Sequence, residues 1–104
     1  MILQIPVDNY PAQKIELNVN NQDIYIQLNY SHFGGGWFFS VYKKDGTPLS
    51  VGRRIESGFP ILGNVYASGF VGNFVANPIS SDEQLLGLYP WGSTHTLVYY
   101  DENL

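Results

Sequence analysis

The chain has 104 residues, of which 44% are hydrophobic, 15% aromatic and 13% charged, with a net charge of −4 and no cysteine. That length favours one domain with one core, and the apolar content lies outside the charge-rich disordered class. The acid excess makes a nucleic-acid backbone a poor partner, and the lack of cysteine removes disulfide frameworks, thiolate metal sites and cysteine nucleophiles.

Ile2 to Ile5 reads as a short first strand, stopped by Pro6 and by the polar cluster Asp8-Asn9-Tyr10-Pro11. The segment before Pro6 has neither the basic leader nor the long apolar core of a secretory signal. No apolar run is long enough to cross a bilayer, so a soluble chain with no membrane anchor is expected. From Gln13 to Val19 the pattern alternates strictly: Ile15, Leu17 and Val19 share one face, and Lys14, Glu16 and Asn18 the other. Alternation resumes at Ile24, Ile26, Leu28 and Tyr30, which means a second half-buried strand. A four-residue loop, Asn20 to Asp23, would set Val19 opposite Ile24, Leu17 opposite Ile26 and Ile15 opposite Leu28. A tight Asn20-Asn21 turn would set Val19 opposite Gln22, so the longer loop is preferred.

After Gly34-Gly35-Gly36 comes Trp37 to Tyr42, apolar on both faces, and then the hairpin signal Lys44-Asp45-Gly46. Pro48 opens a fourth run in which Arg53 falls on the apolar side with Leu49, Val51 and Ile55. Gly52 is read as a bulge that resets the register there, with Arg53 reaching a partner as the alternative. From Ser57 to Pro78 glycines punctuate short apolar pieces, which predicts short strands and turns. Ser80 to Gly87 is the one helix-like segment, with serine caps, early acids and a glycine stop. Ser93 to Tyr100 is the last strand. Together these elements predict a mostly β fold, a single antiparallel β-sandwich or a small partly closed barrel, with at most one short helix near 81-86.

No set of residues declares a reaction. His32 and His95 come with no third ligand at metal spacing, and Ser31 and His32, as strand neighbours, point to opposite faces. Gly34-Gly35-Gly36 precedes a strand, not a helix, so it is a flexible hairpin loop and not a phosphate cradle. Lys43, Lys44, Arg53 and Arg54 flank one turn and read as a solvated, charged sheet edge. Tyr89-Pro90-Trp91-Gly92 reads as an aromatic turn or a protein contact before a sugar-stacking platform. No cofactor or metal is implied.

The order of these motifs is informative where each alone is generic. Leu3-Gln4-Ile5-Pro6 and Gln13 come first, then the alternating Tyr25 to Tyr30, then Gly36-Trp37 to Tyr42. Asp45-Gly46-Thr47-Pro48-Leu49 follows, and Gly92 with Leu97-Val98-Tyr99 closes the series. In this order and length the chain resembles the small phage baseplate plug family, the type found at the central hub of cyanophage-like contractile tails. The likeness spans nearly the whole chain; Leu85 to Pro90 lengthens the approach to Gly92, and Phe59 to Asn77 matches only in being glycine-rich. The resemblance implies a structural virion protein, made in the host cytoplasm and placed in the tail baseplate. It would act in several copies, as a homotrimer, against tail hub, tube or spike proteins, closing the tube until ejection. It implies neither enzyme activity nor nucleic-acid specificity. Candidate interface residues are Phe38 and Tyr42, on the strand apolar on both faces, and Phe70, Phe74, Tyr89 and Trp91, in Gly/Pro-rich loops. A carbohydrate- or receptor-binding β module is the second reading, and a small nucleic-acid-binding barrel the third.

Overall fold

Among the described residues seven strands form: β1 (Ile2–Ile5), β2 (Ala12–Val19), β3 (Gln22–Ser31), β4 (Gly36–Lys43), β5 (Pro48–Arg54), β6 (Asn73–Pro78) and β7 (His95–Tyr100). They come from a computed structural model that describes residues 2–63, 70–79, 90–92 and 94–101. Among these residues there is no helix; the segment expected to be helical, 81–86, lies outside them. Every strand pair is antiparallel, and the strands make two sheets, β2-β3-β4-β5 and β1-β7-β6. The sheets do not close on one another, so the arrangement is a sandwich and not a barrel.

The core is what the alternation dictates. Val19, Ile24, Ile26, Leu28, Trp37, Phe39 and Val41 point inward from the four-stranded sheet, and Ile5, Phe74, Ala76, Leu97 and Tyr99 from the other. Rings join the two layers: the Phe39 and Phe74 centroids are 4.8 Å apart, and Phe74 and Tyr99 5.4 Å. Such tilted pairs add to the area they bury. Segments between strands seal the rim of the core with Ile55, Ile61, Leu62, Phe70 and Trp91.

The first hairpin corrects the expected register. Asn20 and Asn21 sit at φ 52° and 61°, the left-handed region at both central positions of a two-residue turn. That turn matches strand twist, and Asn tolerates the conformation. Val19 therefore faces Gln22, Leu17 faces Ile24 and Ile15 faces Ile26. Apolar residues still meet apolar residues in the middle, and Gln22 is not wasted opposite Val19, as its side chain shows below. The bulge expected at Gly52 is present. The β4–β5 register slips between Phe39↔Arg53 and Val41↔Ser50, with Gly52 at φ 71° and its N–H on Ser40 Oγ at 3.0 Å. Arg53 consequently lies half-buried, its Nε–H on Ser50 Oγ at 3.0 Å.

Candidate protein-contact site

The side chains that alternate away from the core on β2, β3 and β4 line the outer face of the four-stranded sheet. Its rows are set by register: Glu16, Tyr25 and Tyr42 lie side by side, as do Lys14, Gln27 and Ser40, and Asn29, Phe38 and Arg54. Tyr25 and Tyr42 stack with centroids 4.9 Å apart and planes 19° apart, and Lys14 Nζ stands 4.2 Å over the Tyr25 ring. Phe38 lies against the hairpin tip, close enough that a Cβ on Gly34 would come within 2.9 Å of its ring. Tyr25, Phe38 and Tyr42 are half-buried. They form a broken ring band on one face, the Tyr25–Tyr42 stack and Phe38 standing on either side of the Lys14–Gln27–Ser40 row with Arg54 beside Phe38, and rings with an arginine are enriched at protein interfaces.

That tip is the expected hairpin loop, and it is hydrogen-bonded to its neighbours. The Arg54 guanidinium donates to Gly34 O at 2.9 Å and to Gly35 O at 3.0 Å, while Ser31 Oγ accepts the Gly34 N–H at 2.8 Å. Arg54 thus ties the β3–β4 tip to β5, and Phe33 at its apex is fully exposed.

The other ring candidates lie elsewhere. Phe70, Phe74 and Trp91 are 6%, 0% and 4% exposed, so the loop exposure that made them candidates is absent. Phe74 belongs to β6 and fills the space between the sheets, with the Phe70 ring stacked on it at 5.8 Å. Trp91 packs edge-on against Trp37 at 5.6 Å, which closes the Pro90-Trp91-Gly92 turn to a stacking sugar. Tyr89 lies outside the described residues.

Three half-buried amides are spent on the chain's own backbone. Asn9 accepts the Trp91 N–H at 2.9 Å and donates to its carbonyl at 2.8 Å; Gln22 makes the same double contact with Val71 at 2.8 and 3.1 Å. Asn73 accepts from Leu62 N–H at 2.9 Å and donates to Gly63 O at 3.2 Å. Each amide pairs with loop backbone as a strand residue would, accepting an N–H and donating to a C=O. Tyr99 Oη adds a hydrogen bond to Val71 O at 2.6 Å. Burial, then the nearby Asp101 charge, push its phenol pKa up against the opposing Gln22 amide.

One pair escaped the sequence reading. Ser57 Oγ and His95 Nε2 are 2.8 Å apart, and Thr94 Oγ1 stands 2.8 Å from Nδ1 of the same fully buried ring. A nucleophile–base relay sets a carboxylate at that second nitrogen, where a hydroxyl stands here. The pair is 38 residues apart in sequence, and nothing local in the pattern announces it. No group of three His, Asp or Glu suited to a metal ion occurs among the described residues.

An open two-sheet sandwich with rings on a sheet face and its half-buried amides turned on its own loops is the build of a small structural β module. Residues 2–102 match the family model described as Cyanophage baseplate Pam3 plug gp18, and the chain belongs to that family. It is a baseplate plug protein of the phage tail, a part of the virion, and as a baseplate component it binds other tail proteins. Among curated proteins none matches the chain.

Proposed function

We propose that this protein closes the baseplate end of the tail tube as a non-enzymatic stopper, three copies being arranged around the tail axis against hub, tube and spike proteins until ejection. The observation that carries the contact is the set of rings Tyr25, Tyr42 and Phe38 on the outer face of the four-stranded sheet, half-buried in the single chain, with Lys14 over Tyr25 and Arg54 beside Phe38. A neighbour that covers it gains apolar burial without exposing any of this chain's core. Closed cyclic symmetry is the usual route to plugging an axial channel. Contacts of standard interface size hold such a plug and still let it leave once. In this reading Ser57 and His95 clip the β5–β6 connection to β7.

The test is the mass of the chain in solution and in reconstituted baseplate complexes, for the natural protein and for Phe38→Ser/Tyr42→Ser. Expected is self-association, or binding to hub or spike protein, that the double variant loses while its circular dichroism stays native. A clean monomer that also ignores its tail neighbours, or a double variant that assembles normally, overturns the proposal.

A further inference from the structure

Among the described residues, three of the four sheet edges carry a guard. β6 is bridged by Ser57 and Pro60, β5 holds Pro48 and two register shifts, and β1 is only 4 residues long. These devices blunt an edge against stray pairing. β2 has none of them: it runs 8 residues, Ala12–Val19, in unbroken register and without proline. Among the described residues, the backbone groups of Lys14 to Asn18 make no bond beyond the β2–β3 ladder.

The hairpin turn fixes which groups face outward. A two-residue turn closes on a hydrogen-bonded pair, Val19 with Gln22, so Gln13, Ile15 and Leu17 also bond to β3. The Tyr30 N–H on Pro11 O at 2.7 Å keeps that phase at the far end. Ala12, Lys14, Glu16 and Asn18 therefore turn their N–H and C=O groups to the free edge. On the core side Ile15 and Leu17 are half-buried, with no strand beyond them among the described residues.

We propose that this edge pairs antiparallel with the β2 edge of a second copy, about a two-fold axis at Ile15. Lys14 of each copy then faces Glu16 of the other, Ile15 meets Ile15, and Leu17 meets Gln13. Hydrogen-bonding phase allows only even steps of register. One step one way sets Lys14 on Lys14, and one step the other way sets Glu16 on Glu16, each of which repels. The strand is thus charge-complementary to itself in a single register, which also covers the two half-buried aliphatics and forms about eight backbone hydrogen bonds. This edge is distinct from the ring band, and the inference goes beyond the proposed plug role. A two-fold axis across the polar tail has no place in a cyclic plug, so the pair is a state of the free chain and is given up on incorporation.

The test is sedimentation of the full chain, its Lys14→Glu and Glu16→Lys variants, and their equimolar mixture, each first shown to be folded by circular dichroism. Expected is a two-copy species in the natural protein, weakened at least about tenfold in each single reversal. Mixing the two variants should restore it, because the reversed charges then face each other. A natural protein with no two-copy species up to about 1 mM, reversals that pair as well as the parent, or a mixture that fails to recover would each overturn the proposal. A three-copy species indifferent to both reversals but lost in Phe38→Ser/Tyr42→Ser would overturn the edge pairing while leaving the plug arrangement standing.

Discussion

The two sheets are built by opposite means. The four-stranded sheet takes β2 to β5 in chain order, each strand pairing with the next through a short turn. The three-stranded sheet takes β1 from one end of the chain and β7 from the other, with β6 on the far side of β7. Local pairing costs little loop entropy, whereas bringing β1 to β7 must close most of the chain. The amide clamps fall where that difference predicts: Asn9 reaches Trp91 across 82 residues and Gln22 reaches Val71 across 49. Turn chemistry holds one sheet, and side chains acting as backbone hold the other.

The sharpest way to break this contrast is Phe74→Ala. Phe74 touches rings of both layers, and its loss should cost about 3–5 kcal/mol, a large share of a small domain's stability. Urea unfolding followed by far-ultraviolet dichroism and tryptophan fluorescence should show one shared transition at lower urea. Two separated transitions would mean the meander folds without its partner layer.

Next in size is Asn9→Ala, which strips both partners from the Trp91 backbone and should cost about 1–3 kcal/mol. Amide hydrogen exchange should speed up in β1 and β7 and leave β3 and β4 protected. Equal loss in both sheets would deny that the clamps serve the long-range sheet.

A third test uses Tyr99. Its phenol pKa is raised in the fold above the ordinary 10.0, by burial first and the Asp101 charge second. A raised acid pKa stabilises the fold below the unfolded value, and the contribution is lost as pH climbs through the folded one. The natural protein should therefore lose stability as pH rises past about 10 more than Tyr99→Phe does, read from urea midpoints.

The smallest effect belongs to Asp45, whose carboxylate accepts the Thr47 N–H at 2.9 Å, a hydrogen bond that lowers its pKa below the ordinary 3.8. Its contribution is present above that value and fades as pH falls through the lower one. Asp45→Ala should abolish that acid-side dependence, and β4–β5 exchange should change while the three-stranded sheet does not.

What could be read from the sequence follows the same division. The alternation of Ile15 to Val19 and Ile24 to Leu28, the Asp45-Gly46 turn and the Gly52 bulge are local, and they gave the meander and its outer rings Phe38 and Tyr42. The first turn departs from apolar matching because Asn20 and Asn21 adopt positive φ with ease, and that preference sets the register. Phe70, Phe74 and Trp91 have loop-like neighbours, glycines and prolines that signal exposure, yet they are buried. In a sandwich, segments between strands also seal the rim, and only the long-range pairing of β6 with β7 reveals it. The Ser57–His95 contact depends on that pairing too. Motif order carried the family, since each motif alone is ordinary strand grammar.

The placement of β1 beside β7 has a mechanical meaning. Ile2 pairs with Tyr100, so the chain enters and leaves the sheet at the same corner. Tension applied there lies along the hydrogen bonds, which run perpendicular to the strands, and peels the pairs apart in sequence from Ile2–Tyr100 to Ile5–Leu97. Compression normal to the sheets meets the whole packed core at once. The molecule resists being crushed and yields to being unzipped.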